Sequence, residues 1–89
     1  MIVEFDKSFL KSLDKLKDKS LFPKIEKSIA VLEKSNTFSE LPNIKKLNGF
    51  KTYYRYRLGD YSIGFEKLSE DTIRIIIIAN RKEIYKLFP

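Results

Sequence analysis

The 89-residue sequence contains no cysteine and no histidine, which excludes disulfide frameworks, thiol nucleophiles and imidazole-centred catalysis. Its 18 lysines and arginines against 12 acidic residues give a formal charge of +6, as expected for a binder of polyanions, nucleic acid foremost, or simply for solubility. With 43% apolar residues and no internal repeat, residues 1–89 are expected to form one domain around one small core.

Ile2–Phe5 reads as a short strand, and Asp6 or Ser8 is placed to cap the helix that follows. The opening residues lack a charged segment followed by an apolar run, so no secretory signal is expected. Phe9, Leu10, Leu13 and Leu16 recur at helical spacing with lysines between them, giving one apolar stripe and one cationic face. The pattern breaks at Lys19-Ser20. Pro23 then suits the first turn of a second helix, in which Phe22, Ile25, Ile29 and Leu32 continue the stripe. The pair predicts an α-hairpin with an apolar face to lay on a sheet.

Ser35–Asn48 reads as a connector carrying Lys45 and Lys46. Tyr53–Leu68 then has period two, with Gly59-Asp60 as the turn between two strands. Tyr54, Tyr56 and Leu58 share one face of the first strand, and Tyr53, Arg55 and Arg57 share the other. Tyr54, Tyr56 and Tyr61 are expected in the core. A second turn, Ser69-Glu70-Asp71, leads into Thr72–Asn80. Ile73, Ile75 and Ile77 are expected on one face of this last strand and Ile76 and Ile78 on the other, so that it is covered on both sides. Its apolar run, Ile75–Ala79, is too short to span a bilayer, and the chain is expected to be soluble and cytoplasmic, with no membrane partner. Arg81–Phe88 has room for about two helical turns, with Ile84, Leu87 and Phe88 covering the sheet. The order β-α-α-β-β-β-α predicts an α+β domain: an N-terminal α-hairpin packed on a mainly antiparallel four-stranded sheet, with a short C-terminal helix. The strand that pairs with Ile2–Phe5 is left open.

The basic residues of the second half cluster. Lys45, Lys46, Lys51, Arg55 and Arg57 precede or lie on the first hairpin strand, and Arg81, Lys82 and Lys86 follow the last one. Together with Tyr53 and Tyr85 they can line one side of the sheet, cations meeting phosphate and rings meeting bases of a single-stranded RNA. On pattern alone the plainer explanation is favoured: Arg55 and Arg57 keep an exposed face soluble, with Glu66 as cross-strand partner. RNA cleavage by its own 2′-OH needs neither metal nor histidine. It needs help in deprotonating the hydroxyl, neutralising the phosphorane and releasing the 5′-oxygen. A lysine crowded by cations, Lys46 or Lys51 near Arg55, is the candidate base. Asp60, Glu66, Glu70 and Asp71 have no metal-ligand spacing and no phosphate-binding glycine pattern occurs, so no metal or cofactor is expected.

Lys-Lys-Leu-Asn-Gly at 45–49, the segment Tyr54–Glu66 and Asn-Arg-Lys-Glu-Ile-Tyr at 80–85 resemble the RelE/ParE superfamily of type II toxin–antitoxin toxins, over nearly the whole chain. The resemblance implies a toxin neutralised by a cognate antitoxin that wraps it, and that reaches operator DNA only through that complex. One branch cuts mRNA on the ribosome; the other poisons DNA gyrase. Carried over by position, Arg55, Arg81, Tyr85 and Lys46 are the implied catalytic residues, and Lys45, Lys51, Tyr53, Arg57 and Lys82 the implied RNA-binding ones. Ribosome-dependent mRNA endoribonuclease is the favoured expectation. The alternatives are a gyrase inhibitor and a degenerate toxin that only binds antitoxin. Two positions depart from the family pattern: Ser62 stands where many members carry arginine, and Asn80 where many carry histidine.

Overall fold

The computed structural model describes residues 1–39 and 41–89. Strand β1 (Ile2–Phe5) leads into helix α1 (Lys7–Asp14), a short 3-10 turn over Lys19–Leu21 and helix α2 (Phe22–Lys34). The sheet continues with β2 (Ile44–Lys46), β3 (Tyr53–Leu58), β4 (Tyr61–Lys67) and β5 (Thr72–Asn80), and the chain closes with α3 (Ile84–Leu87). Local chemistry explains most boundaries. The Asp6 carboxylate accepts the Ser8 backbone N–H at 3.0 Å and so caps α1. Hydrogen bonds from the Ser8 hydroxyl and backbone, aided by Arg74 and Lys7, hold the Asp6 carboxyl below its ordinary value. Pro23 occupies the first turn of α2, where its missing N–H removes no helical bond. Gly59, at φ +60°, is the first residue of the two-residue β3–β4 turn, a left-handed conformation that glycine adopts freely.

The five strands lie in the order β1-β5-β4-β3-β2, with β1 parallel to β5 and all other pairs antiparallel. The α+β class and the predicted order of elements hold, but the sheet has five strands rather than four. The additional one, β2, lies within the segment read as a connector. Its three residues are too few to display a period, and two of them are lysines, as suits an exposed sheet edge. It exists because Ile44, Lys45 and Lys46 pair with Tyr56, Arg55 and Tyr54. The C-terminal helix is also shorter than predicted, because a turn over 81–83 precedes its single helical turn.

The α-hairpin covers one face of the sheet. Phe9, Leu16, Ile25 and Leu32 meet Tyr56, Ile63, Phe65, Ile73, Ile75 and Ile78 there. Each fully buried isoleucine, leucine or phenylalanine contributes roughly 1.5–3 kcal/mol of transfer free energy. Tyr54 and Tyr61 are half-buried against this core and Tyr56 is buried within it. The opposite face carries a smaller cluster of Leu47, Ala79, Ile84 and Phe88, with Tyr53, Ile76 and Ile77 packed around it. The expected alternation of β5 is therefore corrected. Ile78, not Ile77, joins Ile73 and Ile75, because Gly64 pairs with Ile77 while the next residue, Phe65, pairs with Ile75. Ile76 is the extra residue of a bulge, and beyond it every side chain changes face.

Candidate functional site

The small cluster fastens α3 to the sheet face that bears the β3 arginines. Gly64 makes this contact feasible: a Cβ there would lie 2.7 Å from Cδ2 of Phe88, so only glycine lets the ring settle on the strand. Tyr53 meets Phe88 edge-on at 5.4 Å between centroids and Phe50 at 5.6 Å. With Ile84 and Phe88 buried, the intervening Tyr85 is turned outward and is 60% exposed. Its hydroxyl oxygen accepts the Arg55 Nε–H at 2.9 Å. This bond joins the middle of β3 to the C-terminal helix, 30 residues apart in sequence.

A groove of about 350 Å³ opens beside this pair, lined by Lys45, Lys46, Leu47, Phe50, Tyr85 and Phe88 among others. Lys45 lies directly opposite Arg55 in the β2–β3 register, so its ammonium group belongs to the same sheet face. Lys46 borders the groove, but its register partner is Tyr54. Its side chain therefore leaves the other face of the sheet, beside a depression formed with Phe38, Ile44 and Lys67. The lysine facing Arg55 is thus Lys45, whereas the sequence pattern singled out Lys46 or Lys51. Lys51 is exposed in the loop before β3.

Arg57 is exposed near the turn end of β3, opposite Ser62, and its backbone N–H donates to the Asn43 carbonyl at 3.0 Å. Arg81 is exposed just after β5 and is tied to the β3–β4 turn by its N–H bond to the Asp60 carbonyl at 2.8 Å. Arg57 and Arg81 therefore occupy the same end of the sheet. Among the described residues no hydrogen bond joins either side chain to the Arg55–Tyr85 pair. Lys82 is exposed, and its backbone N–H is held by the Asn80 side-chain oxygen at 2.9 Å. Tyr53 is brought to the site as packing beneath Phe50 and Phe88 rather than as a free ring. Phe50 lines the groove although the sequence reading passed over it. Its position after a loop glycine, outside any periodic run, gave no signal of its role.

Among the described residues the ion pairs are Lys67–Glu70 and Arg74–Glu4, and neither involves Lys45, Arg55, Arg57 or Arg81. Glu66, the partner suggested by the solubility reading, pairs in register with Tyr53 and Arg74 instead, while Arg55 faces Gly64. Among the described residues no group of three carboxylate, histidine or cysteine side chains gathers that could hold a metal ion.

The two departures from the family pattern acquire a location. Ser62 is fully buried, paired with Arg57 on one side and Ala79 on the other, on the face that α3 closes, and its hydroxyl has no protein partner among the described residues. An arginine in its place would have to displace that cover. Asn80 is half-buried, and its side-chain oxygen already serves the turn into α3.

The chain matches the family model described as ParE toxin of type II toxin-antitoxin system, parDE, over residues 3–85. It is 38% identical to Toxin RelE3 of Methanocaldococcus jannaschii, over the full length of both chains. Among solved structures, it resembles a RelB-RelE antitoxin-toxin complex from Methanococcus jannaschii with a TM-score of 0.76 and 37% identity, covering 97% of this chain and 99% of the other. The intact E. coli RelBE toxin-antitoxin complex shares the fold at a TM-score of 0.69 and 21% identity, with 89% and 94% of the two chains covered. The chain belongs to the RelE/ParE superfamily and is a type II toxin.

Proposed function

We propose that this toxin is a ribosome-dependent, metal-independent mRNA endoribonuclease that acts in the cytoplasm and is held inactive by a cognate antitoxin. The Arg55–Tyr85 contact supports this reading most strongly. It places a guanidinium group and an exposed phenol side by side, next to Lys45, with no carboxylate paired to any of them among the described residues. Because Tyr85 uses the Arg55 Nε–H, the Nη groups of Arg55 stay free to donate to a phosphate. The Tyr85 oxygen is the acceptor in that bond, so its own proton remains available to the substrate. In the proposed reaction the 2′-OH of the ribose gives up its proton to water as its oxygen attacks the adjacent phosphorus, the bond to the 5′-oxygen breaks, and that oxygen takes a proton from water, leaving a 2′,3′-cyclic phosphate and a 5′-hydroxyl. Arg55 and Lys45 neutralise the charge that builds on the phosphorane, and Tyr85 hydrogen-bonds the reacting oxygens. Arg57, Arg81 and Lys82 extend the cationic surface toward the turn end of the sheet, where they bind flanking phosphates. Lys46 borders the groove and Lys51, exposed in the loop before β3, adds to the positive charge around it. Tyr53 supports the site from beneath.

Relatives with antitoxin-bound structures of the same fold support the antitoxin partner, and the RelE name of the full-length relative agrees with the nuclease reading. The test is to induce the toxin without antitoxin and follow translation and DNA supercoiling separately. The nuclease reading expects protein synthesis to stop, with new mRNA 5′-ends and unchanged supercoiling. It also expects Arg55→Ala with Arg81→Ala to relieve the arrest. Loss of supercoiling with translation intact would instead identify a gyrase poison.

A further inference from the structure

We infer that the outer edge of β5, beside α1, is a docking site for an extended acidic segment of a partner polypeptide, which adds to the sheet as a short parallel strand. The site lies away from the Arg55–Tyr85 groove. Strand β1 covers the edge of β5 only as far as Ile75, whose carbonyl accepts the Asp6 N–H at 2.9 Å. Beyond that point α1 takes over with two serines. The Ser8 hydroxyl, whose single proton is shared between the Asp6 carboxylate and the Ile76 carbonyl, lies 2.6 Å from each, and the Ile78 N–H donates to the Ser12 hydroxyl at 3.1 Å. At the far end the Asn80 carbonyl accepts the Glu83 N–H at 2.9 Å.

Two edge groups are left between these contacts. The backbone of Ile78 points away from β4, as its bond to Ser12 shows, while that of Arg81 points toward it, bonding Asp60. Strand alternation therefore directs the Ile78 C=O and the Asn80 N–H outward as well. Among the described residues neither has a hydrogen-bond partner beyond the strand ladder. Both belong to the floor of a cleft of about 490 Å³ between α1 and the C-terminal turn. An acceptor and a donor separated by one residue are what a parallel strand requires: a single incoming residue gives its N–H to Ile78 and takes the Asn80 N–H on its own carbonyl. Such a strand would continue the track of β1, already parallel to β5.

The walls specify the side chains. Lys11, Lys15 and Lys17 are exposed along the cleft against one acidic residue, Glu83, while Tyr61 and the 57%-exposed Leu87 supply apolar surface. Charge complementarity thus calls for acidic positions alternating with apolar ones, the pattern of an extended strand. A nucleic-acid strand matches the lysines but has no backbone complement for the paired amide and carbonyl.

The probe is a fluorescent synthetic peptide of about seven residues with alternating glutamate and valine. Its binding to the full chain is followed by anisotropy, with amide exchange of Asn80 read by NMR. Binding should slow exchange at the Asn80 N–H and should vanish when the valine amides are N-methylated. It should weaken by about tenfold in a variant combining Lys11→Ala, Lys15→Ala and Lys17→Ala, whose side chains are exposed and whose fold is checked by circular dichroism. The proposal is overturned if the N-methylated peptide binds equally well, if Asn80 exchange does not change, or if a uridine oligomer of equal charge binds this cleft more tightly than the peptide. Because the assay contains neither ribosome nor mRNA, its outcome is independent of the nuclease reading.

Discussion

Arg55 and Tyr85 show how a single contact converts two surface residues into a candidate site. Arg55 lies on a sheet face where solubility would account for it, and Tyr85 lies on a one-turn helix with its ring largely in solvent. Each is unremarkable alone; the 2.9 Å bond between them fixes a cation and a phenol in mutual register. Tyr85→Phe removes the acceptor and the donor while keeping the ring. Under the nuclease reading it should lower single-turnover cleavage of ribosome-bound mRNA by about a hundredfold. The circular dichroism spectrum and melting temperature should not change, since the hydroxyl is outside the core. Undiminished cleavage would remove Tyr85 from the chemistry. Lys45 illustrates what side-chain period cannot reveal: it and Lys46 are adjacent in sequence, and only the pairing with β3 decides which of them faces Arg55.

At the scale of elements, α3 is a minimal structure carrying Tyr85, the side chain proposed to act in cleavage. Four residues cannot form a stable helix in isolation, so its position depends on Ile84 and Phe88 docking against Leu47, Ala79 and Gly64. Gly64→Ala inserts a methyl group where the Phe88 ring lies. The substitution should destabilise the docked state by about 1–3 kcal/mol. Because the main core lies on the opposite face, the loss should fall on α3 first. Amide exchange in 84–88 should accelerate and, under the nuclease reading, cleavage should fall, while protection of the β4 and β5 amides persists. Equal loss of protection throughout the sheet would show that α3 and the main core unfold as one unit. The β5 bulge operates at the same scale: by turning Ile77 and Ala79 toward α3 and Ile78 toward the hairpin, it supplies both cores from one strand.

For the molecule as a whole, the excess of positive charge becomes informative once its distribution is known. Arg74 and Lys67 are paired with carboxylates, whereas Arg55, Arg57 and Arg81 have no such pairs among the described residues. Binding to a single-stranded RNA oligomer should therefore weaken as salt increases. Arg55→Ala and Arg57→Ala should each reduce the slope of log affinity against log salt by about 0.7, and Lys67→Ala should leave it nearly unchanged. Anisotropy titrations over a salt series check this, and equal slopes for all variants would place the RNA elsewhere. The sequence by itself determined the α+β class, the apolar stripe of the hairpin, the Gly59 turn and the grouping of Arg55 with Arg57, because these depend on local periodicity and backbone preference. The tertiary structure alone decided the fifth strand, the exchange of faces along β5, the burial of Ser62, the choice of Lys45 over Lys46 opposite Arg55, and the contact of Arg55 with Tyr85. Each of those depends on which segment lies beside which, and pairing between distant segments is settled by the packing of the whole chain rather than by the residues on either side.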